Sequence, residues 1–152
     1  MQLRSILNLP IAYKLFIFII GGDRLRKLHA QRFIRARKGD RVLDIGCGTG
    51  NIVGHLPEVD YTGFDANPAY IEDAERQWQG RGKFVCNTVN EYTLAEKDFD
   101  LVLATGVIHH IDDNEATKLF EVAYDKLRPG GRLAILGCYR EESVQDYLPS
   151  FG

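Results

Sequence analysis

One stretch constrains this chain more than any other: Val42-Leu43-Asp44-Ile45, followed at once by Gly46-Cys47-Gly48-Thr49-Gly50. A short, β-branched apolar run reads as a strand buried on both faces, as strands of parallel sheets are. Three glycines at alternate positions come next, and a helical pattern follows them. Glycine is needed where the backbone turns at positive φ, or where a ligand must approach without a Cβ in the way. Strand, glycine turn and helix together open a βαβ unit whose turn lies at the carboxyl edge of the sheet. The expected fold is therefore α/β, with a doubly wound, mostly parallel sheet.

Two details narrow what the turn can hold. The dinucleotide pattern G-x-G-x-x-G is not met, because Asn51 stands where its last glycine would fall. Asp44 sits at the strand end, where a carboxylate would repel a pyrophosphate seated on a helix N-terminus and favour a cation such as an ammonium group. A plain βα turn with no ligand is the bland alternative, disfavoured because packing alone rarely asks for three close glycines.

Asp44 to Gly50 resembles motif I of the class I S-adenosylmethionine-dependent methyltransferases, and the likeness extends over residues 25–137. It implies a Rossmann-like domain that binds S-adenosyl-L-methionine, with Asp44, Gly46, Cys47, Gly48 and Gly50 around the cofactor. Gly63-Phe64-Asp65-Ala66-Asn67-Pro68 is similar to motif II of that family, which adds Asp65 and Ala66. An acid at the tip of the second strand can accept both ribose hydroxyls of a nucleoside. The NAD site uses the same geometry, so Asp65 alone does not separate the two cofactors. Asn67 and Pro68 make a helix N-cap and first turn by themselves, which leaves Asp65 free for a ligand.

At 152 residues and net charge −2, the chain is one domain with no general electrostatic reason to bind nucleic acid, whose binding domains are usually strongly basic. The local strip Arg24, Arg26, Lys27, Arg32, Arg35, Arg37, Lys38 and Arg41 reads as the solvated face of a helix and its exit. Cys47, Cys86 and Cys138 are odd in number and never spaced C-x-x-C, which indicates neither a disulfide framework nor a metal site. Free thiols suit a reducing, cytoplasmic setting.

Taken in order, Leu9 to Ile20 is apolar apart from Lys14 and ends at Gly21-Gly22. It is shorter than the ~20 apolar residues of a membrane span, and no small-x-small cleavage site follows. It reads as a helix with Ile11, Leu15, Phe18 and Ile19 on one face. By the family resemblance, residues 1–38 form an N-terminal helical lid on the cofactor domain of residues 39–152, the whole being a single globular unit. Tyr13 and Tyr70 are then candidates to line the substrate pocket. A second helix is expected over Asp23 to Arg37, with Leu25, Leu28, Phe33 and Ile34 as its apolar stripe.

After a short helix near Ile52 to Leu56, strands are expected at Tyr61 to Phe64, Lys83 to Cys86 and Asp98 to Ala104, with a helix from Pro68 to about Gln79. Trp78 is expected in the core. Many family members carry an acid after the third strand that accepts from the adenine amino group; here Thr88 stands in that place, so Asn87, Thr88 or the Val89 backbone is assigned to adenine. Asp98 to Ala104 looks like motif IV, and the resemblance puts Thr105 and Gly106 against the methionine moiety. His109 and His110 follow in a segment that lines the pocket in the family, His110 doubling as a pocket residue. Adjacent residues share no face and make poor joint metal ligands, whereas one histidine can serve as a base.

Asp112 and Glu115 form a capping box for a helix striped by Ala116, Leu119, Phe120, Ala123 and Leu127. Leu127 to Gly131 is the turn into a fifth strand, Arg132 to Gly137. Full family members continue with a helix and an antiparallel hairpin, so the chain reads as C-terminally short, with about five strands. Its fifth strand would be an exposed edge, open to a second copy in a homo-oligomer. The expected function is methyl transfer to a small-molecule acceptor, because Ala104-Thr105-Gly106-Val107 lacks the (Asp/Asn)-Pro-Pro-aromatic turn of family members that methylate adenine or glutamine nitrogen. A non-catalytic S-adenosylmethionine-binding or interaction domain, and an NAD-type protein, stand as alternatives.

Overall fold

The segment from Arg41 to Ile45 forms strand β1 at the centre of a five-stranded sheet, and its neighbours follow from how completely it is buried. The computed structural model describes residues 22–91 and 95–136. The helix expected over Leu9 to Ile20, with Tyr13 in it, and the chain from Gly137 onward lie outside those residues.

In chain order, helix α1 (Asp23–His29) runs on into a π-helical turn (Ala30–Ile34), and β1 (Arg41–Ile45) is followed by a 3₁₀ turn (Asn51–His55). Then come β2 (Asp60–Asp65), α2 (Pro68–Gln77), β3 (Lys83–Cys86) and β4 (Phe99–Thr105). A second 3₁₀ turn (Ile108–His110), α3 (Asp113–Lys126) and β5 (Leu127–Leu136) complete the described chain. The strand order is β3-β2-β1-β4-β5 and every pairing is parallel. Order reverses at β1, so the crevice between the carboxyl ends of β1 and β4 is the topological switch point where such sheets bind ligands.

Side-chain alternation along β1 sends successive residues to opposite faces. Val42 joins a core built with Ile34, Tyr61, Ile71, Ala74, Leu101 and Leu103, beneath the π-helical turn and α2. Leu43 and Ile45 join the other core, with Phe64, Val102, Leu119 and Ala123, beneath α3. The period therefore points Asp44 into the first core, where alternation would ask for an apolar residue. That is the one conflict along the strand.

The local chemistry of the helix starts is as expected. Asn67 Oδ1 accepts from the Ala69 amide at 3.0 Å and Pro68 is the first residue of α2. Asp112 Oδ1 accepts from the Glu115 amide at 2.8 Å, and Glu115 returns a bond to the Asp112 amide at 3.2 Å.

Three expectations need correction. The stripe on the first helix holds only at Ile34, which is buried beside Ala30: Leu25, Leu28 and Phe33 are 53%, 37% and 61% exposed. Ala30 and Ile34 are four residues apart on one helical face, and Leu25, Leu28 and Phe33 lie off that face. On α3, Phe120 is 47% exposed and Val122 is buried instead, alongside Leu119 and Ala123. The Arg128 to Gly131 turn is not a separator before β5 but an excursion within it. Leu127 already pairs with Phe99, and pairing resumes at Arg132 with Leu101.

Candidate functional site

The loop Gly46 to Gly50 closes over the carboxyl end of β1 and is held by backbone bonds to β2. The amides of Gly46 and Cys47 both donate to the Phe64 carbonyl, at 2.9 and 3.0 Å. All three glycines have positive φ, and two of them show why. A Cβ on Gly46 would lie 2.8 Å from Val107 Cγ2, so the segment after β4 packs against the bare backbone there. A Cβ on Gly48 would meet nothing within 4 Å, so the loop presents open backbone at that point. One glycine is bare for packing and the other for access.

Aromatic side chains support this loop from below, and sequence reading caught only part of that wall. Trp78, which caps α2, packs on the core as expected, and its Nε1–H also donates to the Thr49 carbonyl at 3.1 Å. Phe84 lies under Gly50, where an added Cβ would come within 2.9 Å of its ring. Tyr61 tilts against Phe84 with ring centroids 5.6 Å apart. Its hydroxyl donates to Asp44 Oδ2 at 2.7 Å.

Asp44 is 1% exposed, and its second oxygen, Oδ1, is buried without a hydrogen-bond partner. Burial pushes its pKa up from 3.8 to about 7, opposed by the Tyr61 hydrogen bond and reinforced by the charge of Asp65. Sequence reading treats Asp44 as a full negative charge, and the geometry corrects this. Burial of Asp44 holds the proton to a higher pH than an exposed aspartate would. The same burial raises the Cys47 thiol, so Cys47 is no ready nucleophile.

Asp65 is at the tip of β2, as expected, but it is not idle. Its Oδ2 accepts from the Gly48 amide and its Oδ1 from the Asn67 amide, each at 2.9 Å. A carboxylate has about four lone-pair positions, so two of those on Asp65 remain beyond these two bonds. Ala66 beside it is exposed.

The residues after β3 are largely self-satisfied. Asn87 Oδ1 accepts from the Thr88 amide at 2.9 Å, and Asn87 Nδ2 donates to the Glu91 carbonyl at 3.1 Å. The Thr88 hydroxyl donates to Glu91 Oε2 at 3.1 Å and accepts from the Glu91 amide at 3.2 Å. Glu91 thus brings a carboxylate to the place where Thr88 replaces the family's acid, a link the sequence reading missed. Val89 packs against the α3-side core.

Across the switch point, Thr105 ends β4 and Gly106 turns at φ 73°, its amide donating to the Leu136 carbonyl at 2.7 Å. His109 and His110 share the 3₁₀ turn that follows, and the His110 side chain is exposed. Tyr70 lies half-buried on α2. His29 and Phe33 line a groove with residues 132–136 of β5, and none of the candidate cofactor residues lines it. No group of three His, Cys, Asp or Glu side chains gathers to hold a metal among the described residues. No described helix is long and apolar enough to cross a membrane.

Against known proteins, the family described as a methyltransferase domain matches residues 42–131. An O-methyltransferase of Aspergillus nomiae is 32% identical over 124 residues, covering 76% of this chain and 54% of that protein. A probable tRNA methyltransferase 9B of Mus musculus is 32% identical over 107 residues, covering 69% of this chain and 23% of the relative. Among solved structures, a TehB-like SAM-dependent methyltransferase from Corynebacterium glutamicum is similar at TM-score 0.64 and 25% identity, over 84% of this chain and 70% of that one. The chain thus spans about half the length of the first of these curated relatives and under a quarter of the second.

Proposed function

This chain belongs to the methyltransferase domain family, and from that membership we propose that it transfers a methyl group from S-adenosyl-L-methionine to a small-molecule acceptor. The observation that carries the cofactor reading is the loop itself. Backbone at Gly48 is open, and Asp44, near the end of the strand that leads into the loop, has a buried oxygen with no partner. A buried acceptor left unsatisfied is costly; a ligand that brings an ammonium group satisfies it, whereas linked phosphates repel it.

In this reading Gly46 to Gly50 and Asp44 hold the amino-acid tail, with Thr105 and Gly106 facing it from β4. Asp65 and Ala66 take the ribose. The Val89 backbone, next to Asn87 and Thr88, takes the adenine. When bound, the cofactor supplies a methyl group already activated on a sulfonium. The chain's own task is then to position an acceptor, keep water out and, where the acceptor carries a proton, receive it. His110 and its neighbour His109 are the candidates for that last role, and the exposed His110 side chain is accessible to an acceptor.

The acidic balance and the absence of an (Asp/Asn)-Pro-Pro-aromatic turn after β4 support a small acceptor, as does the O-methyltransferase relative. The tRNA methyltransferase relative favours a second reading, an RNA acceptor. Calorimetry with S-adenosylhomocysteine, NAD and NADP tests the cofactor, and only the first is expected to bind. Turnover with labelled methyl donor over small phenols, amines, acids and tRNA tests the acceptor. Labelled tRNA with unlabelled small molecules would overturn the small-molecule reading, and no transfer to anything would favour a binding domain. The setting proposed is cytoplasmic. The outer edge of β5, unpaired among the described residues, is the proposed contact for a second copy, to be checked by sedimentation.

A further inference from the structure

The bond between Tyr61 and Asp44 joins β2 to β1 inside the core, and nothing in the reaction as described above uses it. Tyr61 is fixed from several sides. A Cβ on Gly63 would lie 3.0 Å from its Cε1, and a Cβ on Gly82 would lie 2.8 Å from its Cδ1. The ring cannot swing away, so the hydroxyl is committed to Asp44 Oδ2 at 2.7 Å. That leaves the carboxyl with one oxygen engaged and the other, Oδ1, buried and unpartnered. The groups around it are Tyr61 and Asp65 from β2 and Cys47 from the glycine loop, none of them a cation. A carboxylate in such surroundings has no counter-charge of its own.

We propose that Tyr61 is a positioning residue of the cofactor site, and that through it the site takes a cationic ligand with release of a proton from Asp44. The proposal rests on the reading that an S-adenosyl ligand occupies the glycine loop. In the empty protein the buried acid keeps its proton to avoid an unpaired charge. The ligand's α-ammonium supplies the missing charge, the O–H bond of Asp44 breaks, and the proton leaves to solvent. The Tyr61 hydroxyl favours the ionised form by donating to it, and also decides which oxygen is left for the ligand.

Isothermal titration from pH 5.5 to 8 with two ligands tests this. S-adenosylhomocysteine carries the ammonium tail; 5′-methylthioadenosine has the same nucleoside without it. For the wild type, S-adenosylhomocysteine affinity should weaken about tenfold per pH unit below about 7, as one-proton coupling requires. Methylthioadenosine affinity should stay flat. Tyr61→Phe keeps the ring and should weaken S-adenosylhomocysteine about tenfold at pH 7, move its pH break upward, and change methylthioadenosine less than twofold. Asp44→Asn should remove the pH dependence altogether.

A flat profile for S-adenosylhomocysteine in the wild type would overturn the proposal while leaving the cofactor reading intact. So would a Tyr61→Phe protein that loses both ligands equally with its pH break unmoved, since that is the mark of a merely structural residue. Binding of neither ligand by the wild type would overturn the cofactor reading and the proposal with it.

Discussion

The two ends of the crevice handle their polar groups in opposite ways. At the exit of β1, Asp44 is buried with one oxygen bonded to Tyr61 and the other to nothing. At the exit of β3, Asn87, Thr88 and Glu91 bond to one another in a closed local turn. A buried acceptor without a partner costs free energy in every empty molecule. Such an atom at a core-facing position marks a candidate site for ligand recognition. Polar groups satisfied by their own neighbours carry no such message. On the proposed reading, the β1 end is where ligand recognition is built in, while the β3 end shows a self-stabilised turn.

The largest expected effect comes from titrating Asp44 in the empty protein. The carboxyl ionises near 3.8 when unfolded and near 7 when folded. Between those values the folded state holds the extra proton, so stability falls as pH rises through that window and levels off above it. The total is roughly 4 kcal/mol, from ~1.4 kcal/mol per pH unit. Denaturant melts at pH 4.5 and 8 should show this decline in the wild type. In Asp44→Asn it should vanish, leaving the variant about 1–3 kcal/mol more stable at pH 8, since an unpaired amide costs less to bury than a charge. A wild type equally stable at both pH values would break the comparison at its stronger side.

Next in size is Gly46→Ala, which places a Cβ against Val107 at positive φ. It should cost about 2–3 kcal/mol in chemical denaturation. Asp65→Ala should weaken S-adenosylhomocysteine by about 1–3 kcal/mol, as ribose hydroxyls lose their acceptor and the Gly48 amide loses its own; unchanged affinity would refute the ribose assignment. Smallest of all is Thr88→Val, expected to change that affinity by less than about 0.5 kcal/mol because the hydroxyl is already engaged with Glu91. A tenfold loss there would show that the β3 end recognises ligand as sharply as the β1 end.

The parts of the fold that could be read from sequence are those governed by neighbours in the chain. The β1 run, its glycines, the Asn67-Pro68 helix start and the Asp112-Glu115 capping box each depend on a few consecutive residues, and each stands where it was expected. What could not be read depends on geometry between distant segments or on helix pitch. Leu25 and Phe33 looked buried because they are large and apolar, whereas the face that packs on the sheet is set by Ala30 and Ile34, four residues apart. Val122 was passed over for the bulkier Phe120, although packing against the sheet selects position before size. Tyr61 gave one signal that could have been used: a tyrosine within a fully buried strand must find a partner for its hydroxyl. Asp44 was the acid one strand away. The self-satisfied state of Thr88 had no such signal, because Glu91 looks like any exposed acid until the turn is seen.

The most direct test of the account is a crystal structure with S-adenosylhomocysteine soaked in. The account predicts the amino-acid tail lying over Gly46 to Gly50, its ammonium within hydrogen-bond reach of Asp44 Oδ1, and the ribose hydroxyls on Asp65. Density for the ligand elsewhere, or a phosphate-bridged nucleotide taking that loop in its place, would contradict it.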